Sequence, residues 1–188
     1  MTLEARVTPI WKKQKLFVAL FMIAFGAYFF YDGAIGWPRA NERYVKYQEY
    51  AQANDIGGWA TYAKEKGWSQ KPPEKLHSRQ DLIGQYIFGT ILTLVGLVTL
   101  GYWAQQIRRS LRLDDEAITS PAGTRVPFSS ITGLGLKKWE SKGLATVRYE
   151  VNGRKGEFIV DDYKFDTDTT REILDCVKQR LESRTSAS

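Results

Sequence analysis

LIGQYIFGTILTLVGLVTLGYW, residues 82–103, runs for 22 residues without a charge. A helix rises about 1.5 Å per residue, so about 20 residues cross a hydrocarbon core of about 30 Å. The stretch spans a bilayer with nothing added. It holds 11 Leu, Ile, Phe and Val residues, which together contribute roughly −3 to −6 kcal/mol at mid-membrane. A second uncharged block, LFVALFMIAFGAYFFY at residues 16–31, holds nine of them, giving roughly −3 to −5 kcal/mol. It reaches full length by running past Asp32 to Trp37, with Asp32 at headgroup level. Tyr28, Tyr31, Trp37, Tyr102 and Trp103 stand near the block ends, where interfacial aromatics sit.

Working outward, the expected segments are an N-terminal piece at 1–15, spans at 16–37 and 82–104, and a connection at 38–81. A small β-rich domain at 110–183 and a polar, disordered tail at 184–188 complete the chain. The first block also has the basic leader and apolar core of a signal peptide, with a weak small-x-small site at Ala34-Ile35-Gly36. Against cleavage stand the length and aromatic content of the core, and Pro38 two residues beyond the cut. The chain carries a net charge of +6, but the excess is local. Residues 110–188 hold 13 Lys/Arg and 13 Asp/Glu, whereas residues 1–109 hold 14 and 8. Positive charge beside apolar spans sets orientation and does not mark a nucleic-acid binder. The first 15 residues hold four Lys/Arg, and Arg108, Arg109 and Arg112 follow the second span, against eight spread over 38–81. Both ends are therefore expected in the cytoplasm, as in a multi-pass protein of the cell inner membrane.

Gly89, Thr93 and Gly96 fall on one face of the second span, where small residues let another helix approach. That helix is either the first span or one from a second copy. In the connection, Tyr44, Tyr47, Tyr50 and Ala51 recur at helical spacing. Asp55-Ile56-Gly57-Gly58 reads as a break, and a shorter helix follows from Trp59 to Lys66. Gly67 and Pro72-Pro73 then end regular structure. The aromatic side chains of this cap either lie on headgroups and pack on each other, or form a surface for a ligand or partner.

From Ser110 the pattern changes to period two. Leu111 and Leu113 alternate with Arg112, and turns follow at Asp114-Asp115-Glu116 and Ser120-Pro121-Ala122-Gly123. Val126, Ile131, Leu134 and Leu136 mark a further region broken by Gly133 and Gly135. Val147, Tyr149 and Val151 form one face of a strand, and Asn152-Gly153 supplies the positive φ angles of a type I′ hairpin turn. Phe158 and Val160 resume the alternation. Thr169-x-x-Glu172 has capping-box form, and Ile173, Leu174, Val177 and Leu181 make the apolar stripe of a closing helix.

Short antiparallel strands followed by one closing helix follow the order of a pleckstrin-homology-like barrel. The stretch Arg125-Val126-Pro127-Phe128-Ser129-Ser130-Ile131-Thr132-Gly133, after the opening Leu111-x-Leu113-Asp114-x-x-x-Ile118, resembles the PH-like domains of bacterial membrane-anchored proteins. Trp139-Glu140-Ser141-Lys142-Gly143 and Asp161-Asp162-Tyr163-Lys164-Phe165 are similar to an uncharacterised branch of them. The resemblance covers residues 110–183 and implies an α+β membrane protein whose soluble part is a small antiparallel barrel or sandwich closed by a C-terminal helix. It implies a fold more than an activity. PH domains that bind phosphoinositides place basic residues around the first hairpin loop. Here that loop carries Asp114, Asp115 and Glu116, which repel an anionic headgroup, so lipid-phosphate binding is not carried over.

Lys137, Lys138 and Lys142 surround Trp139. They form either a patch touching lipid or a partner, or a solvated loop with Trp139 folded onto the domain. Asp161-Asp162 offers too few oxygen ligands for a hard cation and reads as a strand end. Cys176 reads as a half-buried helix residue and His77 as a solvated loop residue. The chain has one of each, which provides neither a disulfide nor a zinc site. No cofactor, metal or catalytic residue is expected. The expected function is non-enzymatic: a scaffold or adaptor at the membrane, with the bilayer and a membrane protein or second copy as partners. The alternative is a sensor binding a small ligand through the PH-like domain or the aromatic cap.

Overall fold

The structure, a computed structural model, describes residues 2–185. The chain divides into two compact units, Val18–Thr99, and Met1–Phe17 together with Leu100–Ser188.

The first unit is helical. Helix α1 (Pro9–Tyr31) passes through a π-helical turn (Asp32–Gly36) into α2 (Trp37–Gln52), so one helical path runs 44 residues from Pro9 to Gln52. The helix therefore does not end at Trp37. Pro38 has no N–H to continue the ladder, and the wide turn before it absorbs the mismatch without breaking the path. Helix α3 (Ile56–Glu65) follows. Gly57 and Gly58, expected to break the chain, lie in its first turn, because Asp55 is its N-cap and accepts from the Gly58 N–H at 2.8 Å. The break falls just before, where Asn54 has φ 55°. Helix α4 (Arg79–Gln106) is the second helix of spanning length.

Helices α1 and α4 pack antiparallel. Any Cβ added at Gly96 would stand 2.6 Å from Ile23 Cγ1 and 3.0 Å from the Ala19 carbonyl oxygen. One added at Gly89 would stand 3.1 Å from the Gly26 carbonyl oxygen and 3.3 Å from the Phe30 ring. Glycine is required at both places because backbone meets backbone. The remaining faces point outward: only 17% and 11% of the most apolar windows of the two helical paths is buried, and Val98 is 73% exposed.

The second unit is α+β. Strands β1 (Leu3–Arg6), β2 (Ser110–Leu113), β3 (Ala117–Thr119) and β4 (Arg125–Pro127) form a four-stranded antiparallel sheet in that order. Strands β5 (Ile131–Lys138), β6 (Leu144–Val151) and β7 (Arg154–Asp161) form a three-stranded one. The short helix α5 (Trp139–Lys142) links β5 to β6 where a loop was expected. Among the described residues no strand pairing joins the two sheets, so the barrel expected from sequence is not closed.

The segment 1–15 is more than a leader. Residues 3–6 pair with 110–113 in the register Leu3–Leu113 to Arg6–Ser110, and Ala5, Val7 and Trp11 lie in the core. The Asn152-Gly153 turn has φ angles of 51° and 70°, and Val151 pairs with Arg154 across it. Helix α6 (Thr167–Thr185) covers the sheets. Its Ile173, Leu174 and Val177 meet Leu111, Ile118, Val126, Val147 and Val160 in one cluster. The N-cap is Asp166, whose carboxylate accepts from the Thr169 N–H at 3.0 Å and its hydroxyl at 2.6 Å. Helix α6 thus starts one turn before the Thr169 box. It also outlasts the expected start of the tail, because Arg184 donates to the carbonyls of Phe128 and Ile131 at 2.9 and 3.3 Å. The rest of the expected tail, 186–188, lies outside the described residues.

Candidate functional site

The patch at 137–142 splits in two. Lys137, Lys138 and Lys142 are exposed, whereas Trp139 is half-buried and packs against the core. Lys137 and Lys138 end β5, and Lys142 ends the short helix that begins at Trp139. Asp161 caps the turn after β7 by accepting from the N–H groups of Tyr163 and Lys164 at 3.0 and 3.1 Å. Asp162 faces Arg171 at 3.4 Å. Among the described residues no three His, Cys, Asp or Glu side chains come together as a metal site would need. Cys176 is half-buried against the core.

His77 departs from a solvated loop residue. Its ring stacks on Trp37 at 4.2 Å, and Asn41 accepts from its N–H at 2.7 Å while donating to its carbonyl at 2.8 Å. The aromatic cap is turned inward. Trp59 is 1% exposed, surrounded by Tyr47, Tyr50, Tyr62 and Trp68 at ring-centroid distances of 5.4–6.5 Å. Its indole N–H donates to the Gln70 carbonyl at 2.9 Å. These rings form a small core of their own, as aromatic pairs prefer. Gly89, Thr93 and Gly96 all lie on the α4 face turned to α1.

What the sequence reading missed lies where β1 meets β2. Arg6 and Lys12 come from the N-terminal segment, and Arg108, Arg109 and Arg112 from the stretch after α4. The β1–β2 pairing brings the two groups around one concavity of about 280 Å³. Its single carboxylate, Glu4, is already shared. Arg112 holds one oxygen at 2.9 Å and Arg6 the other at 3.0 Å. The Ser110 hydroxyl and these guanidiniums keep the Glu4 carboxyl below its usual range. Lys12, Arg108 and Arg109 have no ion-pair partner among the described residues. The floor nearby is ordered: Trp103 donates its indole N–H to the Lys12 carbonyl at 2.9 Å, and Lys164 donates to Gln106 at 2.6 Å. Burial, with Arg109 acting in the same sense, pulls Lys164 below the ordinary lysine range. Each basic group is visible in the sequence. That they face each other is not, because the residues are about 100 positions apart.

Comparison with known proteins returns no match among family models, curated proteins or solved structures.

Proposed function

We propose that the chain is a two-span protein of the bacterial inner membrane whose soluble domain, of PH-like type, is a non-enzymatic scaffold or adaptor. The observation that carries the reading is the outward apolar surface of α1 and α4. Phe17, Val18, Phe21, Phe25, Ile91, Leu94 and Val98 are all exposed, and helices serving as the core of a water-soluble protein would bury them. Lipid is the solvent that such faces suit.

Sidedness draws support from the sheet. Strand β1 precedes α1 and β2 follows α4, yet they are hydrogen-bonded neighbours. That pairing supports a topology with both ends of the helical hairpin on one side of a bilayer, and the Lys/Arg density at those ends favours the cytoplasm. The same pairing disfavours removal of the first block as a signal peptide, since a cut after Gly36 would take β1, Val7 and Trp11 out of the domain. Seven antiparallel strands with one closing helix support the PH-like reading. The association role is supported by β7. It is an edge strand of its sheet and exposes Ile159 at 57%, and such an edge is a template for an added strand.

The test is alkaline extraction of native membranes, then crosslinking and light scattering on the detergent-purified protein. The reading expects the protein in the membrane pellet and a crosslinked species that Ile159→Lys abolishes. Release into the soluble fraction removes the membrane role. Retention in the pellet as a lone monomer, with no crosslinked partner, removes the scaffold role.

A further inference from the structure

We infer that the concavity between β1 and the α4–β2 junction is a binding site for a phosphate group, of an anionic phospholipid or of a soluble phosphate. Five cations, Arg6, Lys12, Arg108, Arg109 and Arg112, surround it with Glu4 as the one anion, leaving a local net charge of +4. Like charges gathered around a low-dielectric wall repel one another and focus a positive potential into the cleft. A bound anion relieves that repulsion. Glu4 cannot do so alone, since its two oxygens are taken by Arg112 and Arg6.

Arginine suits the task. Its planar fork of N–H groups matches phosphate oxygens in pairs, and the Arg108 and Arg109 forks are uncommitted among the described residues. The site also has a fixed frame. Lys12 is in the first turns of α1, held through its carbonyl by Trp103, and Arg112 and Arg6 sit on adjacent paired strands. The acidic Asp114–Glu116 loop, which disfavours an anion at the far end of β2, does not line this cleft. If α1 and α4 span the membrane as proposed above, the cleft adjoins their cytoplasmic ends at headgroup level, where basic pockets meet anionic lipid. The lipid source rests on that reading. The phosphate chemistry does not.

The experiment uses the full chain purified in neutral detergent. Native mass spectrometry counts bound phosphatidylglycerol against phosphatidylcholine, with inorganic phosphate as competitor. The variants are Arg108→Gln/Arg109→Gln, Lys12→Gln, and an equal-charge control, Lys137→Gln/Lys138→Gln. Wild type and control are expected to prefer phosphatidylglycerol, and the cavity double variant to bind it about tenfold more weakly or worse. Lys12→Gln, a single change at a half-buried lysine, gives the same direction should the double variant lose its near-ultraviolet dichroism. Displacement by phosphate assigns recognition to the phosphate group, and binding of phosphate without lipid preference assigns a soluble source. Equal binding of both lipids with no phosphate binding overturns the inference, as does an equal loss in the control. Alkaline extraction of the same variants reads membrane insertion separately, so failure of the anion site and failure of the membrane reading give different results.

Discussion

Replacing Val7 by alanine tests the least expected feature of the fold, the N-terminal strand lent to a domain that begins again 100 residues later. Val7 is 3% exposed, bridges Phe165 and belongs to the main core. The change removes two buried methyl groups at about 0.8 kcal/mol each. A term for incomplete collapse of the cavity brings the cost to about 2–3 kcal/mol. For a domain of this size each kcal/mol shifts Tm by about 4–8 °C, so the soluble domain should melt roughly 10–20 °C earlier. Its neighbour Arg6 alternates to the outside and makes only an exposed ion pair with Glu4, so Arg6→Ala should cost no more than about 0.5 kcal/mol. The assay is thermal unfolding of the full chain in mild detergent, with hydrogen exchange read on the amides of β2. Equal, small effects for the two variants, with β2 protection unchanged in both, would refute the pairing. The isolated fragment 110–188 should be markedly less stable than the same residues in the whole chain, since it lacks β1, Val7 and Trp11.

Gly89→Leu with Gly96→Leu should separate α1 from α4, because the new side chains meet the Gly26 and Ala19 carbonyls. Loss of crosslinking between α1 and α4, with membrane insertion retained, is the expected readout. Gly153→Val should destabilise the β6–β7 hairpin by about 1–2 kcal/mol, since φ there is 70° and a β-branched residue resists that region; an unshifted melting curve of the full chain would count against it. Thr169 holds the Asp166 carboxyl below the ordinary value of 3.8. A depressed carboxylate contributes stability above its unfolded pKa and loses it as pH falls through the folded one, so this contribution should fade below about pH 4. Asp166→Asn keeps the cap without the charge and should flatten that part of the acid limb, while Asp166→Ala should cost about 1 kcal/mol at neutral pH. An acid limb identical in Asp166→Asn and wild type would remove Asp166 as its source.

The two apolar helices, the Asn152-Gly153 turn and the Ile173–Leu174–Val177 stripe are all legible in the sequence. Each is a local signal: a run of apolar residues, a dipeptide with its own φ preference, a periodicity within one helix. The helix boundaries were harder to read. Gly57-Gly58 looks like a break until Asp55 is seen capping it, and Thr169-x-x-Glu172 looks like a cap until Asp166 is seen to hold that role. At α3 a glycine pair that reads as a break sits beside a capping aspartate, and at α6 two chemically reasonable caps compete within one turn.

Only the tertiary structure decided that residues 3–6 are a strand, that Gly89 and Gly96 face α1, and that two clusters of basic residues surround one cleft. A four-residue strand carries too little periodicity to announce itself. Its pairing energy exists only once β2, about 100 residues later in the chain, lies beside it. The charges that the sequence presents as two separate runs thus become a single electrostatic site through a contact between residues some 100 positions apart.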